Sequence, residues 1–186
     1  MRRLEKKDIF TIPNILSFSR LLMLPFIVYF YSFARRPATA AVVFVISGIT
    51  DNLDGDIARH FHMISDLGKV LDPVADKLTQ GVVFICLAIR RRIVLLFAGS
   101  FLVTELVKFW LGLVTYKRMD IVPSAKWYGK RNTDLIFAGT VLLLLFPEMP
   151  QGVLLAVVCT LTVVNLLCCA LYTRHYIRLL HGKEEA

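Results

Sequence analysis

A chain of 186 residues that is 56% hydrophobic, with a mean hydropathy of +0.63, is excluded from the ordinary water-soluble class. Its net charge of +8 raises nucleic acid as a partner, but no nucleic-acid motif or aromatic-interleaved basic run occurs. The charge therefore reads as membrane bias, each basic residue near anionic headgroups contributing about 1 kcal/mol. In chain order, residues 1–10 mix basic and apolar residues, which suits a short amphipathic helix on the membrane or an unstructured tail. Crossing the hydrocarbon core takes about 20 mainly apolar residues. Six such segments follow: Ile12–Phe33, Thr39–Ile57, Val70–Ile89, Ile93–Thr115, Thr133–Phe146 (short, extending a few residues) and Gly152–Thr173. The expectation is an all-α integral membrane protein with six transmembrane helices, forming one domain over residues 1–186. No small-residue cleavage site follows the first apolar run, which is read as a retained helix.

Basic residues set the expected orientation. With the N-terminus cytoplasmic, that side carries Arg2, Arg3, Lys6, Lys7, Arg59, Lys69, Lys117, Arg118, Lys126, Lys130, Arg131, Arg174, Arg178 and Lys183. The opposite side carries Arg35, Arg36, Arg90, Arg91 and Arg92, and the run at 90–92 stands as an exception to the bias. Both termini and the loop after the second segment are thus expected at the cytoplasmic face of the cell membrane. Cys86, Cys159, Cys168 and Cys169 fall inside predicted spans without metal-type spacing and read as small apolar fillers.

One stretch carries the chemistry. Residues 51–76 read Asp51-x2-Asp54-Gly55-x2-Ala58-Arg59-x8-Gly68-x3-Asp72-x3-Asp76. On a helix, Asp51, Asp54, Gly55 and Ala58 lie at i, i+3, i+4 and i+7 and share a face; Gly68, Asp72 and Asp76 step by four and form another. Carboxylates without accompanying Cys or His suit hard divalent cations, Mg²⁺, Mn²⁺ or Ca²⁺. Gly55, Ala58 and Gly68 let a bulky ligand approach the backbone, and Arg59 offers a fork suited to phosphate. An antiparallel hairpin of the second and third helices would set Asp51 and Asp54 opposite Asp72 and Asp76, where mutual repulsion calls for cations. The combination points to phosphoryl transfer.

This pattern resembles, at every defining position, the signature of the CDP-alcohol phosphatidyltransferase family. Ile12-Pro13-Asn14 before an apolar run ending in Arg20, and the stretch Leu71-Asp72-Pro73-Val74-Ala75-Asp76-Lys77, are similar to its bacterial glycerophosphate-using branch, the phosphatidylglycerophosphate synthases. The resemblance implies transfer of a phosphatidyl group from CDP-diacylglycerol to an alcohol, with release of CMP. It implies two ions, Mg²⁺ or Mn²⁺, one held by Asp51, Asp54 and Asp72 and the other by Asp51, Asp72 and Asp76. Asp76 matches the catalytic base; Gly55, Ala58, Arg59 and Gly68 match the nucleotide site. A homodimer is implied as well.

The acceptor expected from this branch is glycerol 3-phosphate. Lys108, inside a span and on one face with Glu105, together with Lys130 and Arg131, are the candidate acceptor-binding residues. Two departures favour the alternative, a cardiolipin synthase of the same fold acting on phosphatidylglycerol. Asn132 stands where phosphatidylglycerophosphate synthases carry a second lysine, and Thr104 where their arginine precedes the glutamate. A transporter or a non-catalytic lipid-binding scaffold is the reading from another class. The former would not concentrate its charges in one hairpin, and the latter would tolerate loss of an aspartate.

Overall fold

The structure, a computed structural model, describes residues 12–60, 68–119, 126–180 and 182, with side chains for 15–51, 74–119, 126–180 and 182. The expected amphipathic segment at 1–10 lies outside the described residues. Six helices occur among them: α1 Ile12–Val28, α2 Pro37–His60, α3 Gly68–Arg90, α4 Val94–Met119, α5 Trp127–Leu145 and α6 Gln151–Leu180. They coincide with the six apolar segments, and no strand occurs among the described residues. Three are long and apolar enough to cross a membrane: Ile15–Phe33, Val94–Met119 and Gln151–Leu180; the apolar part of α2, Pro37–Asp51, is shorter. Large apolar side chains such as Leu22, Phe26, Phe109, Trp110 and Leu167 are mostly exposed, as lipid contact requires and water would penalise.

α1 does not end as an ordinary helix. Residues Tyr29–Phe33 continue it as a wider π-turn, closed by Ala34 N donating to Tyr29 O at 2.9 Å. Arg36 N then donates to Phe30 O at 2.8 Å across Arg35, whose φ of 51° is left-handed. Helix-terminating positions of this kind usually hold glycine, because a Cβ there costs roughly 1–2 kcal/mol. Pro37 opens α2, where its fixed φ and missing N–H are harmless.

The described residues fall into two compact units, Met1–Arg90 with Leu144–Pro147, and Arg91–Leu143 with Glu148–Ala186. In the first, α1 packs against both α2 and α3. Its core joins Ile27 and Tyr31 to Phe44, Val83, Phe84 and Leu87, with Ala40, Ala41, Ser47 and Ala75 as buried small residues. In the second, α4 packs along α6 around Phe97, Phe101, Leu111, Val158 and Leu161. α5 approaches α6 through glycines: a Cβ on Gly139 would stand 2.6 Å from Leu161 Cδ1, and one on Gly129 would strike the Tyr172 ring.

Candidate active site

α2 and α3 carry the carboxylates, as the spacing requires. The helical register of α2 runs unbroken through Asp51, Asp54, Gly55, Ala58 and Arg59, and that of α3 through Gly68, Asp72 and Asp76. Both one-face stripes therefore exist as backbone geometry. The side chains of Asp54, Gly55, Ala58, Arg59, Gly68 and Asp72 lie outside the described residues, and so does the expected opposition of the two aspartate pairs. Asp51 and Asp76 are described. They do not by themselves make a group of three metal-ligating side chains among the described residues.

Asp51 is held by a residue to which its spacing gave no clue. Arg20 of α1 donates from Nη1 to Asp51 Oδ1, and from Nη2 to Ser17 Oγ at 3.3 Å. The Arg20 side chain is only 2% exposed, whereas the Asp51 side chain is 42% exposed. The buried partner thus anchors the exposed one. A lone arginine inside an apolar run was the available signal, since intramembrane charge is costly unless paired.

Asp76 sits half-buried one helix away. Gln80, one turn further along α3, donates from Nε2 to Asp76 Oδ1 at 2.9 Å, and Lys77 Nζ lies 3.7 Å from Oδ2. Oδ1 is thereby engaged and Oδ2 faces the solvated lysine. Asp76-x3-Gln80 is a plain i, i+4 pair, readable from sequence once the helix is granted. The donor set as a whole, carboxylate oxygens on two helices, is chemically suited to a hard divalent cation.

The candidate acceptor residues belong to the second unit. Lys108 pairs with Glu105 one turn back, both partly buried. Lys130 and Arg131 are exposed in the first turn of α5. Beside them, Asn132 is buried and donates from Nδ2 to Asn165 Oδ1 at 3.2 Å. Asn165 in turn donates to Thr104 Oγ1 at 2.9 Å, and Thr104 to Phe101 O at 2.9 Å. The two departures from the glycerophosphate pattern, Thr104 and Asn132, are therefore joined through Asn165. They form one neutral polar chain linking α4, α6 and α5.

The sequence profile of CDP-alcohol phosphatidyltransferases matches residues 10–164, most of the chain and both units. The chain belongs to the CDP-alcohol phosphatidyltransferase family. Among similar proteins is a CDP-diacylglycerol–glycerol-3-phosphate 3-phosphatidyltransferase of Rickettsia typhi, 34% identical over 142 residues. The match covers 72% of this chain and 76% of that one. A cardiolipin synthase (CMP-forming)/mitochondrial hydrolase fusion protein of Schizosaccharomyces pombe is 39% identical over 130 residues, or 70% of this chain and 21% of the fusion. A Salmonella typhimurium protein with the same name as the Rickettsia one is 37% identical over 78 residues, covering 41% of this chain and 43% of that protein. Membership of a membrane phosphatidyltransferase family, read from residues 51–76, is borne out. Like other members of this family, which generally uses divalent metal ions, the chain is a transferase of phospholipid biosynthesis.

Proposed function

We propose that the chain transfers the phosphatidyl group of CDP-diacylglycerol to glycerol 3-phosphate, giving phosphatidylglycerophosphate and CMP. The observation that carries this is the complete carboxylate set in unbroken register on α2 and α3, with Asp51 anchored by the buried Arg20. The Rickettsia relative, named for this reaction and matched over most of its length, supports the acceptor. The family match runs across both compact units, which supports treating residues 1–186 as one catalytic domain. Six spans with both termini and the carboxylates cytoplasmic remain the topology of choice, because basic residues crowd that side. A homodimer is proposed from the family likeness alone.

Asp51, Asp54, Asp72 and Asp76 would hold two divalent ions, Mg²⁺ or Mn²⁺, which when bound polarise the donor diphosphate and offset charge on departing CMP. Gly55, Ala58 and Gly68 leave room for cytidine and ribose against the helices, and Arg59 binds the donor phosphates. The acceptor oxygen bonds to the phosphatidyl phosphorus as the bond from that phosphorus to the CMP oxygen breaks. The electron pair leaves with CMP. The hydroxyl proton passes to Asp76, whose Oδ2 is the oxygen not taken by Gln80. Lys108, Lys130 and Arg131 supply positive charge for the acceptor phosphate.

A second reading is favoured by one observation. The Thr104–Asn165–Asn132 chain is neutral, and the acceptor of a cardiolipin synthase, phosphatidylglycerol, presents a free glycerol hydroxyl rather than a phosphate monoester. CMP release from CDP-diacylglycerol in proteoliposomes, measured with each acceptor in turn, separates the two. Turnover with glycerol 3-phosphate alone supports the first reading, and turnover with phosphatidylglycerol alone replaces it. No release with any alcohol would overturn both.

A further inference from the structure

Two of the five basic residues expected on the side opposite the active site, Arg35 and Arg90, meet around a cavity in the first unit. It has a volume of about 300 Å³ and is lined by Tyr31, Ser32, Arg35, Cys86, Ile89 and Arg90. Tyr31 and Cys86 are buried and form the floor, while the two arginines are exposed at the rim. Arg20 and Tyr31 are eleven residues apart on α1, and Asp76 and Arg90 fourteen on α3. At 1.5 Å per residue the cavity therefore lies roughly 15–20 Å along the helices from the carboxylates. It is a separate place.

Its construction favours an anion. Arg90 lies over the Tyr31 ring, with Cζ 5.4 Å from the centroid, which orients the guanidinium while leaving its edge donors available. Arg35 stands in the left-handed position that glycine would fill without strain, and there its side chain borders the cavity. Neither Arg35 nor Arg90 makes an ion pair among the described residues. The C-termini of α1 and α3 each bring about half a negative charge, and the N-terminus of α2 about half a positive one. Two full guanidinium charges outweigh these. Helix-dipole complementarity accounts for Arg90 in the last turn of α3, but not for a strained Arg35.

We propose that this cavity binds a phosphate group, with Arg35 and Arg90 as its donors and the Ser32 hydroxyl as a third. Its size suits a headgroup and excludes a nucleotide-linked lipid, since pockets for drug-sized ligands start near 300 Å³. Ile89, 76% exposed at the rim, gives acyl chains a surface to follow if the phosphate is a phospholipid's. In the proposed topology this is the leaflet opposite the active site.

The test uses the full-length protein in nanodiscs of phosphatidylcholine with a minor fraction of phosphatidylglycerol, and counts retained lipids by native mass spectrometry. A second arm titrates inorganic phosphate against thermal stability in neutral detergent. Arg35→Gln/Arg90→Gln should lose roughly tenfold in affinity for whichever probe binds, Arg35→Lys/Arg90→Lys less, and Arg36→Gln, outside the lining, nothing. Loss in the phosphatidylglycerol arm identifies a lipid headgroup; loss confined to the inorganic arm identifies soluble phosphate. Equal binding of both probes by wild type and the double Gln variant overturns the proposal. Should that variant misfold, Cys159→Ala/Cys168→Ala/Cys169→Ala leaves Cys86 as the reporter thiol. The bound probe should then slow its alkylation, and absence of protection by either probe overturns the proposal equally. The difference between wild type and the double Gln variant, and the protection of Cys86, report this cavity rather than the active site, so they stand whichever acceptor the enzyme uses.

Discussion

At the scale of single residues, Asp76 and Arg20 do different work. Asp76 is proposed to take the acceptor proton, and general bases contribute roughly 10²–10⁴-fold. Asp76→Asn should therefore abolish turnover while leaving CDP-diacylglycerol binding within about an order of magnitude, because only part of one ion's shell is lost. More than about a tenth of wild-type CMP release in that variant would remove Asp76 from the role. Arg20 acts through Asp51. A fully buried ion pair broken at one end loses about 3–5 kcal/mol, but Asp51 is 42% exposed and water screens what remains. Arg20→Ala should cost about 1–2 kcal/mol, lowering the melting temperature in detergent by about 2–8 °C, and should weaken activity along with it. An unchanged melting temperature would mean that the pair contributes nothing to holding α1 against α2.

Among the elements, the α5–α6 contact depends on missing side chains. Gly139 faces Leu161 so closely that an added Cβ would sit 2.6 Å and 2.7 Å from its two methyl carbons and 3.1 Å from Cγ. Leu161 is itself buried and has little room to turn away. Gly139→Ala should thus destabilise the second unit by about 1–3 kcal/mol, the usual scale of overpacking. Gly99 on α4 has nothing within 4 Å of its would-be Cβ, so Gly99→Ala should cost nothing in the same unfolding measurement. Equal behaviour of the two variants would show that close approach at Gly139 is not what joins these helices. The Thr104–Asn165–Asn132 chain adds to the same interface, though intramembrane hydrogen bonds average only about 0.6 kcal/mol.

For the whole molecule, the decisive dependence is on divalent metal. The four carboxylates of the motif, Asp51, Asp54, Asp72 and Asp76, with Arg20 beside the first and Lys77 beside the last as the described cations, are under-neutralised without it. CMP release should vanish with excess chelator and return on adding Mg²⁺ or Mn²⁺. Full turnover in chelator would sink the proposed two-ion arrangement.

The residue order alone determined the helices and the family, for one physical reason: both depend on local periodicity. Apolar runs of about 20 residues located all six helices, with α5 starting six residues before the expected Thr133 and α6 running seven past the expected Thr173, because lipid rewards hydropathy residue by residue. Spacing of three and four along 51–76 exposed the carboxylate stripes, since a helix turns by a fixed angle. What involves residues distant in sequence was hidden. Arg20 reaches Asp51 across 31 positions, and Asn165 reaches Thr104 across 61; no period links them. The π-turn at Tyr29–Phe33 and the left-handed Arg35 were equally invisible: Pro37 marks the helix end, but no glycine announces a left-handed residue there. Only the packing of α1 against α2 and α3 makes Arg90, part of the exception to the charge rule, and Arg35 the rim of one cavity. Contacts of this kind are decided by which helices meet, and that is a tertiary property.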